Sequence, residues 1–257
     1  MNSLRMANFE EEQVVPELIV VNNDLALISD IGRRKKTNQD YGIVAIRNDE
    51  TVIMIVADGV SNSQSASLAA QTACETVYSI LYNSNDFNEK LMKKAIHMAN
   101  EEVNKLPSSF NTNLDDPETT IVVALRQGNQ VILGWVGDSR AYAVGNHRVE
   151  LLTEDDSWCN KVIKAGIMSA AEAKEHPRSH IITQCLGIKN TLINVHTSKI
   201  KLKSDEGLLL CTDGLYNMTD ILPNSWKNPA NIEAWLLVCN ANRGGGIDNI
   251  TIAISKA

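Results

Sequence analysis

Five aspartates fall where apolar runs begin or end. Asp58 follows Val52-Ile-Met-Ile-Val-Ala57 and precedes Gly59, and Asp213 follows Leu208-Leu-Leu-Cys-Thr212 and precedes Gly214. Asp138 stands two residues beyond the run ending at Val136. Asp248 lies just ahead of Ile250-Thr-Ile-Ala-Ile254, and Asp40 opens Tyr41-Gly-Ile-Val-Ala-Ile46. If these runs are strands of sheets packed together, their ends can converge on one rim. Carboxylates gathered on a partly dry rim repel one another and stay ionised only when cations neutralise them. Hard oxygen donors select Mg²⁺ or Mn²⁺, and no His/Cys cluster argues for zinc. Two such ions, roughly 3.5–4 Å apart, would lower the pKa of a shared water and suit phosphoester hydrolysis by direct water attack. A lone Asp-Gly after a strand is ordinarily a turn. Spacing alone therefore leaves the turn reading standing beside the metal reading.

The elements that would carry these residues are short and rich in Val and Ile. Strands are expected at Leu25–Ser29, Tyr41–Arg47, Val52–Ala57, Thr120–Arg126, Val131–Val136, Arg140–Val144, Leu192–Leu202, Leu208–Cys211 and Ile250–Ile254. Several are apolar at every position, which predicts cover on both faces. Helical periodicity runs through Ser65–Tyr82 and Glu89–Leu106, with Pro107 as a stop, and Ile232–Asn240 reads as a late helix. Ser169 and Glu172 have the spacing of a capping box that opens a short helix ending at Pro177. Strands and helices do not alternate regularly. The expected fold is α+β, with sheets at the centre and helices outside.

Composition bounds the rest. The 257 residues are 44% apolar and 21% charged, enough for a sizeable core in one domain. Residues 1–24 are polar and acidic and read as an arm or edge element, with residues 25–257 as a single domain. A net charge of −7 disfavours a nucleic-acid partner. Five cysteines without a C-x-x-C pair fit a reducing cytosol better than a disulfide framework. No leader and no membrane-spanning run is evident, so the chain reads as soluble and cytoplasmic. The four tryptophans are expected in core or flap packing, and Cys211 as an inert buried thiol.

Several segments occur together in one order: Gly32-Arg-Arg-Lys-Lys-Thr-Asn-Gln-Asp40, Val56-Ala-Asp-Gly-Val60, Gly137-Asp-Ser-Arg140, Cys211-Thr-Asp-Gly-Leu215 and Gly246-Ile-Asp-Asn-Ile-Thr251. A flap-like stretch runs from Leu152-Thr-Glu-Asp-Asp-Ser157 through His176-Pro to Ile182-Thr-Gln-Cys-Leu-Gly187. Together they resemble a type 2C metal-dependent Ser/Thr protein phosphatase of the PPM family, in its compact bacterial form. That resemblance implies a four-layer α/β/β/α sandwich with two central antiparallel sheets. It implies hydrolysis of phosphoserine and phosphothreonine in proteins by a hydroxide bridging two metals, Mn²⁺ or Mg²⁺, with a third metal in some members. Asp58 would bridge the pair, the Gly59 carbonyl would complete one coordination shell, and Asp213 and Asp248 would hold the second ion. Asp40 would act close to the pair, Asp138 would share the third ion with Asp213, and Asn249 would orient Asp248. The expected partners are a phosphoprotein substrate and a cognate Ser/Thr kinase, and the expected state is a monomer.

Four departures mark this chain. Lys35 stands where the family has a phosphate-gripping Arg, supplying charge without the bidentate fork, and Arg33 or Arg34 would substitute if the loop shifts. Asp58-Gly-Val-Ser-Asn62 replaces D-G-x-G-G, so Ser61 and Asn62 would narrow that loop. Val60 stands where some members carry a proton-donating His, which leaves His180 of the flap as a candidate. Glu118-Thr-Thr120 replaces G-T-T. These changes motivate one alternative, a catalytically weak phosphatase-like binding module. A hydrolase of nucleotides or phosphodiesters is another, disfavoured by the acidic balance and an aromatic content of 5%.

Overall fold

In the computed structural model, which describes residues 5–6, 16–60, 65–107, 116–222 and 226–257, the apolar runs build two six-stranded sheets. The first contains β1 (Arg5–Met6), β4 (Asp40–Ile46), β5 (Val52–Asp58), β6 (Ile121–Gln127), β7 (Gln130–Val136) and β10 (His196–Lys201) in the order β1-β4-β5-β6-β7-β10. The second contains β2 (Glu17–Val20), β3 (Leu25–Asp30), β8 (Arg140–Val144), β9 (Val149–Leu151), β11 (Gly207–Cys211) and β12 (Ile250–Ser255) in the order β2-β3-β12-β11-β8-β9. All pairings are antiparallel.

Val44, Met54, Val56, Val122 and Leu133 of the first sheet meet Leu25, Leu27, Leu208, Leu210 and Ala253 of the second in a layer between the sheets. Alternate residues of the same strands point outward, because side chains switch faces at every position. On the first sheet Ile43, Ile53, Ile55 and Val123 pack under α1 (Ser65–Tyr82) and α2 (Glu89–Asn104). On the second, Ile28, Leu209, Ile252 and Ile254 pack under α6 (Ala230–Arg243). Both faces of each sheet are thus covered, which is why β3 is buried along its whole length. The result is the expected four-layer α/β/β/α sandwich.

Local signals place the helix ends. The Asn88 side chain accepts a hydrogen bond from Leu91 N at 2.9 Å and caps α2. Ser169 and Glu172 form the complete capping box of α4 (Ala170–Glu175). The long strand expected at Leu192–Leu202 shortens to β10, and Leu192 is almost wholly exposed. Three further elements were too short for periodicity to reveal: β9, α3 (Trp158–Lys164) and α5 (Asp213–Tyr216). Within the segment read as an arm, β2 pairs with β3. Trp135 and Trp226 are buried, as expected, whereas Trp235 corrects the expectation. It is 41% exposed on α6.

Candidate metal centre

The register of β4 on β5 sets Asp40 directly opposite Asp58. The register of β11 on β12, continued by a hydrogen bond from Thr212 N to Thr251 O at 3.1 Å, brings Asp213 to the end carrying Asp248. Asp138 follows β7 in the turn to β8. Sheet packing thus brings the five aspartates to one rim, near enough that the charges of neighbouring carboxylates push up the pKa of Asp40, Asp58 and Asp213. Two glycines permit the close approach. A Cβ on Gly59 would lie 2.5 Å from the Ala66 carbonyl oxygen, and one on Gly214 would lie 1.9 Å from that of Asn249.

The carboxylates are poorly solvated. Burial, augmented by the charges of Asp248 and Asp213, pushes Asp40 up to about 7. Burial and the four neighbouring carboxylates push Asp58 well above the usual carboxylate range. Burial and Asp213 raise Asp138 to about 7. Burial and Asp248 raise Asp213 to about 6, against a lowering pull from Lys35 and a hydrogen bond with Asp58.

Beneath Asp40 lies a web of hydroxyls. Thr212 Oγ1 donates to Asp40 Oδ2 at 2.8 Å, and Thr251 N donates to Thr212 Oγ1 at 3.0 Å. Thr251 and Ser29 share a hydrogen bond at 2.7 Å, and Asn38 Nδ2 donates to Ser29 at 2.9 Å. Asp40 Oδ1, fully buried, has no hydrogen-bond partner. A buried acceptor left without a donor is costly. A divalent cation is the kind of group that the all-oxygen donor set would take. Among the described residues, no three His, Cys, Asp or Glu side chains close around a single point. Instead Lys35 Nζ lies 2.7 Å from Asp248 Oδ1, among the acids. Burial alone would lower the Lys35 pKa, but the hydrogen bond to Asp248 and the charges of Asp248, Asp58 and Asp213 outweigh it and raise it.

Of the three basic candidates, Lys35 alone makes an ion pair at the rim among the described residues, while Arg33 and Arg34 are exposed. Asn249 is buried, but its side chain does not reach Asp248. It accepts from Gln39 N at 2.8 Å and donates to Ile31 O at 2.9 Å and Thr37 O at 3.1 Å, tying the β3–β4 loop to β12. Its backbone N–H holds Asp248 Oδ1 at 2.8 Å. His180 is exposed. Ser61 and Asn62 lie outside the described residues.

The sequence reading missed the residues that hold the Asp138 turn. Asp156 Oδ2 accepts from Gly137 N at 3.0 Å and Gln184 Nε2 at 2.9 Å, while Asp156 Oδ1 meets His196 Nε2 at 2.9 Å. His196 is stacked on Trp135. Thr120 Oγ1 accepts from Asp58 N at 3.1 Å and shares a 2.7 Å hydrogen bond with Ser139, linking the Asp58 strand to this turn. Arg140 grips Asp155 through two nitrogens, at 3.0 and 2.7 Å, and lies 3.6 Å over the Tyr216 ring. The available signals were polar residues within apolar runs, such as Ser29, Thr120 and Thr251.

Fold and rim together define a class, a two-sheet sandwich with a desolvated carboxylate cluster at one end. The protein phosphatase 2C family model matches residues 32–241. The chain belongs to that family. It is 32% identical over 238 residues to the serine/threonine phosphatase stp of Listeria monocytogenes, covering 88% of this chain and 92% of that protein. The solved serine/threonine phosphatase of S. agalactiae superposes with a TM-score of 0.81 at 25% identity, covering 95% of this chain and all of that one. The catalytic domain of the phosphatase PstP, solved in complex with two manganese ions, superposes with a TM-score of 0.73 at 20% identity, over 94% and 99% of the two chains.

Proposed function

We propose that this chain hydrolyses phosphoserine and phosphothreonine in proteins at the acidic rim, with divalent cations held by Asp40, Asp58, Asp213, Asp248 and the Gly59 carbonyl. Asp138 with Asp213 would hold a further cation. The observation that carries the reading is Asp40 Oδ1, buried without a donor among carboxylates whose ionisation burial opposes. Bound Mn²⁺ or Mg²⁺ would neutralise phosphate charge and acidify water. The manganese of the PstP structure supports that choice of metal.

The chain's own residues have separable roles. The hydroxyl web of Thr212, Thr251 and Ser29 fixes Asp40. The Asn249 backbone N–H fixes Asp248. Lys35, partly buried at the rim, is placed to hold the negative charge of the substrate phosphate. As a lysine it acts as a point charge, without the two-pronged geometry of arginine. The nearby thiols are not nucleophiles: burial pushes both Cys185 and Cys211 far above the ordinary thiol range. Attack by water without a covalent phosphoenzyme is what membership of the protein phosphatase 2C family implies.

Residues 25–257 would form the single catalytic domain, with 1–24 as its arm. The protein would act in signalling as a cytoplasmic monomer opposite a Ser/Thr kinase, the class of enzyme that makes phosphoproteins. Its five cysteines are all free, which fits a reducing compartment. Among the described residues no helix is long and apolar enough to cross a membrane.

The test is turnover of p-nitrophenyl phosphate and a phosphothreonine peptide with Mn²⁺. A chelator should abolish it, Asp213→Asn should reduce it about 10³-fold, and Lys35→Ala should weaken it mainly through KM. Turnover indifferent to the chelator would overturn the metal reading. Peptide binding without turnover would favour the binding-module alternative.

A further inference from the structure

Beside the acidic rim, the loop after β3 and the outer side of α6 enclose a cleft of about 400 Å³. Trp235 of α6 and Ile31 of the loop supply apolar wall above the buried Val238, and Arg33 and Arg243 also line it. Both arginines are exposed, and among the described residues neither forms an ion pair. Asp30, also in the lining, is buried and turned to internal work. Its Oδ1 accepts from Gly32 N at 2.8 Å and Asn242 Nδ2 at 2.9 Å. The cleft therefore presents apolar surface and two arginines that form no ion pair among the described residues, with the Asp30 carboxylate held by amides in the same lining, in a chain whose net charge is −7.

The cleft is tied to the rim by a short, fixed path. Arg33 N donates to Gly246 O at 2.7 Å, and two residues later Lys35 reaches Asp248. Two residues span at most about 7 Å, and an extended peptide advances about 3.4 Å per residue. A substrate chain with its phosphate at Lys35 can therefore place a side chain two to four residues away into the cleft.

We propose that this cleft is a docking subsite for the phosphoprotein substrate, taking a bulky apolar side chain adjoining an Asp or Glu, two to four residues from the phosphoresidue. The inference rests on the phosphatase reading. The Trp235 ring and Ile31 receive the apolar group, and Arg33 and Arg243 receive the carboxylate. The occupant follows from charge complementarity and from continuity with the rim. The exposed Trp235 thereby acquires a role that core packing does not give it.

The test is a set of phosphothreonine peptides with Phe-Glu or Gly-Lys at these positions, comparing kcat/KM for the unaltered protein, Arg243→Glu and Trp235→Ala. The unaltered protein should favour Phe-Glu about five- to tenfold. Arg243→Glu should abolish that preference and Trp235→Ala should reduce it. Both variants should keep p-nitrophenyl phosphate turnover and thermal midpoint, since both side chains lie at the surface. Equal kcat/KM for the two peptides, or a preference that survives Arg243→Glu, overturns the proposal. Absence of p-nitrophenyl phosphate turnover would instead strike the phosphatase reading. Fluorescence anisotropy of the labelled peptides in EDTA would then decide the cleft, with equal affinities refuting it.

Discussion

Asp40→Asn should stabilise the metal-free protein at alkaline pH and destabilise it relative to the parent when Mn²⁺ is present. Asp40 has a folded pKa of about 7 against an ordinary value of 3.8, chiefly because burial disfavours its charge. At about 1.4 kcal/mol per tenfold, ionising it in the folded protein costs about 4 kcal/mol. The sign follows from linkage. The folded state holds this proton more tightly than the unfolded state, so the metal-free protein loses stability as pH rises from about 4 to about 7. Asparagine removes that charge and can still accept from Thr212, but its amide hydrogens face the place where Oδ1 had no partner. An unsatisfied buried donor returns about 1–3 kcal/mol of the gain. The net expectation at pH 8 in EDTA is about 2 kcal/mol, or a rise of about 5 °C in Tm for a chain of this length. The gain should vanish near pH 4, where the parent aspartate is protonated in the folded state and about half protonated in the unfolded state, so that the amide penalty leaves the variant no more stable than the parent. With Mn²⁺ at a hundredfold excess over its Kd, the parent should gain about 2.7 kcal/mol that the variant largely lacks. Differential scanning calorimetry at pH 4, 6 and 8, with EDTA or Mn²⁺, measures all of this. A variant less stable than the parent at pH 8 in EDTA, or equally stabilised at pH 4, would refute the reasoning.

Two further substitutions probe the supports of the site. Gly214→Ala would press a Cβ to within 1.9 Å of the Asn249 carbonyl, which cannot yield without moving β12. It should cost about 3 kcal/mol or more and abolish turnover, as thermal melts and p-nitrophenyl phosphate assays would register. Asp156→Ala removes the acceptor shared by Gly137, Gln184 and His196. It should cost about 2–3 kcal/mol by urea titration and lower turnover through a loosened Asp138 turn, whereas unaltered stability would show that the carboxylate does not hold that turn.

Much of the framework was legible because it is written in local pattern. Runs such as Val52–Ala57 are apolar at every position and rich in Val and Ile, the pattern of a short strand covered on both faces. The face of Ser65–Tyr82 repeats at the helical period, and α1 occupies that range. The capping box at Ser169 and Glu172 needs only four residues to form. Elements of three, four or seven residues, such as β9, α5 and α3, carry too little periodicity to be read. The placement of Asp40, Asp58, Asp138, Asp213 and Asp248 at strand ends was also visible, because strand termini are marked by where the apolar run stops.

The amino-acid order by itself determined the kinds of donor available, their places at strand ends, and the family in which such segments share one order. Only tertiary structure decided which atoms meet. Strand register set Asp40 against Asp58, and sheet packing put Thr212 beneath Asp40. Lys35, and not Arg33 or Arg34, paired with an acid of the rim. Asn249 spent its side chain on the β3–β4 loop, and the Asp156–His196 pair took up the turn before Asp138. Each of these contacts joins residues far apart in the chain. Hydrogen-bond geometry and desolvation depend on distances of a few ångströms, which local sequence leaves open until the two sheets close on each other.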